Sequence, residues 1–108
     1  MSYYVGRRTK AGPLVTVDGE MLDLRLDLRN HDPTGFEWGY CGSGPAQLAL
    51  AILAHHCESE DEALDLYQRF KWAVIAELPR PSWTLNTRQI DQAIEHIRIQ
   101  EMVKGGNR

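Results

Sequence analysis

The chain has little of what would declare a reaction. Its 108 residues contain two cysteines, Cys41 and Cys57, far apart and without repeat spacing. Structural zinc sites show paired ligands at short spacing on two knuckles, and no such pair of pairs exists here. Pooling His31, Cys41, His55, His56 and Cys57 does not mend this, because neighbours on a helix point about 100° apart and cannot all face one ion. The Gly-rich string GYCGSGP (residues 39–45) has Pro45 and Ala46 where a Walker loop needs lysine, and no G-x-G-x-x-G with a downstream acid is present. No metal or cofactor is expected. The opening residues, Met1 to Lys10, carry no apolar core of a secretory signal. The apolar run from Leu48 to Ala54 falls far short of the roughly 20 residues of a membrane span. A cytoplasmic protein with reduced thiols and no membrane contact is the expectation. Any excess of one sign of charge is small too: a net −3 argues against nonspecific nucleic-acid binding, which needs a basic footprint.

What is there suits one soluble domain. An apolar fraction of 43% with 25% charged residues supports a packed core at this length, so residues 1–104 read as one domain and 105–108 as a frayed tail. Tyr3 to Val5 reads as a short strand ended by the polar run from Arg7 to Gly12, and Leu14 to Val17 as a second. Asp18-Gly19 suits a two-residue type I′ turn, which would set Val17 opposite Glu20 and Val15 opposite Leu22. The plainest strand signal follows: Leu22, Leu24, Leu26 and Leu28 alternate with Asp23, Arg25, Asp27 and Arg29, so leucines would share one face and charges a solvated other.

Helical signals fill the rest. Ala46 to Ala54 is apolar almost all round, the mark of a helix buried between other elements, with Pro45 at its first position and Gly44 or Ser43 as cap. Ser59 with Glu62 makes a capping box for a second helix, whose stripe of Ala63, Leu64, Tyr67, Phe70, Val74, Ile75 and Leu78 runs to the stop at Pro79 and Pro81. The acids from Glu58 to Asp65 suit that helix start. A third helix begins near Asn86, buries Ile90, Ala93, Ile94 and Ile97, and ends at Gly105. Trp72 and Trp83 read as core. Strands followed by helices predict an α+β fold, an N-terminal antiparallel hairpin or three-stranded sheet packed against three helices.

The candidate working surface is the block from Arg29 to His56. Asn30, His31 and Asp32 before Pro33 have the chemistry of a turn. Phe36, Trp38 and Tyr40 alternate, so they form either a satellite core or an exposed platform for a partner. With Ser43 at the Gly-rich helix start, these residues make up a candidate binding surface: Asn30, His31, Asp32, Phe36, Trp38, Tyr40 and Ser43. No catalytic set is complete. The competing chemical reading uses Cys41 at the helix start with His31 as base, in a small enzyme or ligand binder built on the Gly-rich loop.

The same block carries a resemblance. Asn30, His31, Pro33 to Tyr40, Gly42 to Leu53, then Leu66, Tyr67, Phe70 to Trp72, Val74 to Ala76, Leu78, Pro79 and Trp83 to Leu85 resemble the pattern of a family of short bacterial and mobile-element proteins of unknown function, over roughly residues 14–97. Asp32 departs from a small hydroxyl residue there, and Cys41 stands where the family requires no thiol. The family implies a shared fold and a mobile-element setting. Together these features favour a non-enzymatic protein-interaction module with a protein partner, and the setting implies an accessory or anti-defence factor that binds a host protein complex.

Overall fold

A tight ribbon begins the structure, a computed structural model that describes residues 1–106. Strand β1 (Tyr3–Thr9) pairs with β2 (Gly12–Val17), and β2 with the two-residue β3 (Glu20–Met21). β1 is longer than its apolar start implied, because Arg7, Arg8 and Thr9 continue the ladder opposite Leu14, Pro13 and Gly12. Asp18 and Gly19 take left-handed angles, φ 51° and 86°, as a type I′ turn demands, and Val17 lies opposite Glu20. The Asp18 carboxylate accepts the Tyr3 N–H at 2.9 Å, and that bond holds its pKa below the ordinary value.

The strand expected from Leu22 to Arg29 does not form. Leu22 still donates to the Val15 carbonyl at 3.1 Å, and there the ladder ends. The reason lies in β2. Backbone groups alternate sides along a strand, so Pro13 shares the open side with Val15 and Val17, and it has no N–H to give. Asp23 then accepts the Arg25 N–H at 2.7 Å, Arg25 turns left-handed at φ 54°, and Leu28 N–H closes a turn onto the Arg25 carbonyl. Leu22 is buried, Leu24 and Leu28 half-buried, and Leu26 exposed, so the leucines do not share one face.

Helix α1 (Ser43–Cys57) is buried from Gly44 to Ala54, with the sheet on one side and α2 (Glu60–Ala73) on another. Its N-cap is Gly42, one position before the residues expected to cap it, and no side chain caps it. Ser59 caps α2 by accepting the Glu62 N–H at 3.3 Å. α2 stops at Ala73 instead of running to Leu78: Val74 leaves helical angles, and Ile75–Glu77 form a 3₁₀ turn ahead of Pro79. Leu66, with Ala63, Tyr67 and Phe70, occupies the buried stripe, and Leu64 lies at its half-buried margin. Trp72 is 64% exposed and is not core, since two residues past Phe70 is about 200° around the helix.

A fourth strand, β4 (Ser82–Asn86), completes a sheet in the order β3-β2-β1-β4, every pair antiparallel. Trp83 and Leu85 turn inward to join Tyr4, Val15 and Val17 beneath α1. Asn86 and Gln89 cap α3 (Thr87–Gly106) reciprocally, each side-chain oxygen accepting the other's N–H at 2.9 Å. Ile90 and Ile97 are its buried residues, with Ala93 and Ile94 half-buried. The helix runs through Gly106, so the expected tail begins inside it, and residues 107 and 108 lie outside the described residues. The architecture is α+β, a four-stranded sheet with three helices.

Candidate functional site

Gln47 organises the block that the sequence marks out. It is fully buried on α1, inside an otherwise apolar run. Its Oε1 accepts the N–H groups of His31 (2.8 Å) and Asp32 (3.1 Å), and its Nε2 donates to the carbonyls of Leu24 (2.6 Å) and Arg29 (3.1 Å). Two acceptor lone pairs and two donors are all that a primary amide has, so the side chain is saturated. The segment from Leu24 to Asp32, which lost its ladder at Pro13, finds its backbone partners here instead. Arg25 ties the same segment outward, to Asp27 and to Glu60 at the start of α2, and those carboxylates, Asp27 foremost, raise its pKa.

The candidate residues divide by fate. His31 shares a 2.8 Å hydrogen bond between its Nε2 and the Tyr67 hydroxyl. Asp32 accepts both the N–H and the hydroxyl of Thr34, at 3.0 and 2.6 Å, and the hydroxyl is the first cause of its lowered pKa. It thus holds a local turn. Phe36 and Trp38 are buried in the main core, while Tyr40 is 42% exposed, so the alternating aromatics do not form one platform. Asn30 and Ser43 are exposed. The structure does not join His31 to Cys41 by a hydrogen bond among the described residues, and both thiols are free.

Trp38 anchors a second cluster. Its indole N–H donates to the Arg80 carbonyl at 3.0 Å, and its ring meets Trp83 edge-on at 5.7 Å. The Arg8 guanidinium lies over it at 4.6 Å, grips Glu37 through two bonds and also reaches the Arg80 carbonyl. Glu37 packs against Gly44 so closely that a Cβ there would sit 2.7 Å from the Glu37 Cβ and 3.2 Å from its backbone nitrogen. Gly44 serves a close approach between loop and helix. Outside this cluster, the Arg80 guanidinium covers the Tyr40 ring at 5.8 Å.

At the far end of α1, Tyr4 bonds His55 (2.6 Å) and His56 bonds Asp91 (2.6 Å). Burial is the main reason that the Tyr4 hydroxyl and the Cys57 thiol are both pushed up to about 12, with Glu62 adding to the effect at Cys57. No group of three or more His, Cys, Asp or Glu is placed to hold a metal among the described residues. No described helix is long and apolar enough to cross a membrane. Between α2 and α3 lies a groove of about 500 Å³, lined in part by Arg69, Trp72, Ala73, Ile97 and Gln100.

Sequence reasoning missed Gln47, Arg8 and Trp72. Gln47 had a signal, a lone amide inside an apolar helix, since such a group is buried only with partners. Arg8 had none, because its partners lie at distant positions 37, 38 and 80. Residues 4–96 match a family of unknown function (DUF6166). No curated protein and no solved structure matches the chain.

Proposed function

The chain belongs to that family of unknown function, and from this membership and the site's geometry we propose that it is a non-enzymatic protein-interaction module. The observation that carries the reading is Trp72, 64% exposed beside the groove between α2 and α3. Tryptophan is the side chain most enriched in the few positions that dominate protein interfaces, because it brings large area at low entropic cost. The polar residues of the Gly-rich block support the same reading from the other side: His31, Asp32 and Gln47 are engaged in holding the fold. Of the candidate surface, Asn30, Tyr40 and Ser43 keep the exposure that contact with a partner needs. The mobile-element setting that the sequence resemblance implies supports a host protein complex as the partner, in an accessory or anti-defence role.

The test uses the full chain as bait in extract of its host, with Trp72→Ala and Cys41→Ser alongside. Capture of a defined partner is expected to survive Cys41→Ser and to be lost in Trp72→Ala, with the melting temperature unchanged in both. A substrate turned over by the wild type and spared by Cys41→Ser would overturn the module reading in favour of thiol chemistry.

A further inference from the structure

The sheet ends on an open edge at β4, and register decides which groups face out. Thr87 N–H donates to the Ser2 carbonyl at 3.1 Å, so Leu85 and Trp83, in step with Thr87, direct their backbone groups at Tyr4 and Gly6 of β1. The backbone N–H and C=O groups of Ser82, Thr84 and Asn86 therefore point away from the sheet. Gln89 takes the Asn86 N–H. Those of Ser82 and Thr84 meet no partner among the described residues, and both residues are exposed.

The two edges of the sheet are treated differently. The β3 edge is guarded: β3 is two residues long, Pro13 presents no donor, and Gln47 holds the departing chain. Natural edge strands carry such guards because bare ladder groups recruit another chain. β4 has no charge, no proline and an unbroken register. Cations surround it. Arg80 and Arg88 bracket the strand and Arg7 lies opposite Ser82; all three are exposed, and none makes an ion pair among the described residues. No acid occurs between Leu78 and Ile90, in a chain whose net charge is −3.

We infer that β4 accepts an extended, acid-flanked segment of a protein partner as a fifth strand. The backbone of Ser82 and Thr84 supplies the ladder, and Arg80 and Arg88 hold the carboxylates at its two ends. This rests on the interaction-module reading and gives its partner a chemistry.

The probe is a capped synthetic peptide of alternating valine and threonine with glutamates at both ends, titrated into the isotope-labelled full chain and followed by NMR. The Ser82 and Thr84 amides are expected to shift and to exchange more slowly with solvent. Thr84→Pro removes only an outward-facing donor, which an edge strand tolerates, and should weaken binding about tenfold or more. Arg80→Glu with Arg88→Glu should weaken it several-fold, and added salt should do the same to the wild type. The same peptide N-methylated at alternate residues needs no protein variant and should not bind. Unmoved Ser82 and Thr84 amides at ~1 mM peptide, or equal binding of the methylated peptide, would overturn the inference. A captured host partner that needs Trp72 but ignores Thr84→Pro overturns the edge and leaves the module standing. If no partner is captured at all, the module reading falls, and with it the edge's natural occupant.

Discussion

The segment from Leu22 to Gly42 has no strand or helix, whereas α3 is regular from Thr87 to Gly106, yet the irregular segment is the better embedded of the two. Phe36 and Trp38 are buried within it, and a saturated buried amide holds its backbone. α3 buries Ile90 and Ile97, then carries Ile99, Met102 and Val103 in solvent. Local hydrogen bonding makes a helix regular; contacts from elsewhere anchor a segment. The side chains to probe in the loop are therefore those that reach it from other elements.

Gln47→Ala should produce the largest effect. It strands two N–H groups and two carbonyls around a buried cavity, for a loss of about 3 kcal/mol or more in chemical denaturation. A loss within ~0.5 kcal/mol would erase the contrast between loop and helix. Gly44→Ala comes next, at about 1–3 kcal/mol, because its Cβ meets the Glu37 backbone. A much smaller cost would mean that the loop shifts freely against α1.

Cys57 sharpens the comparison at the far end of α1. Its folded pKa is raised from 9.0 to about 12, so the neutral thiol is the form that the fold favours. The stability it contributes is complete below pH ~9 and is lost as pH climbs toward 12. In the native protein at pH 8, a thiol reagent should label Cys57 slowly and then rapidly on unfolding; fast native labelling would show that the α1 end opens on its own. The smallest effect belongs to Met102→Gln, expected within ±0.5 kcal/mol by thermal melts. A larger loss would mean that the last turns of α3 are anchored after all.

Much of this was legible locally and little of it at a distance. The Asp18-Gly19 turn, the Ser59 cap and the apolar α1 depend on neighbours in sequence, and each formed. The leucine alternation after Leu22 was an equally regular pattern, but a strand also needs a partner that can bond, and Pro13 ended that ladder. β4 escaped notice because a Trp-Thr-Leu alternation between Pro81 and a helix cap is too short to signal a strand. In the candidate block, turn chemistry at Asp32 was readable, whereas the inward turn of Trp38 depends on the remote Arg80 carbonyl.

The pairing of β1 with β4 also has a kinetic consequence. Ser2 and Thr87, hydrogen-bonded to each other, are 85 positions apart, so β1 finds its first partner across a tight turn and its second only after both central helices have been made. Ends that far apart close slowly, because chain entropy must be surrendered before the contact rewards it. During synthesis, Tyr4 and Gly6 wait with bare backbone until Trp83 and Leu85 arrive. Of the two pairings β1 makes, the one with β4 is therefore the costlier to close, and a nascent chain stalled before Ser82 carries an unpaired edge along β1.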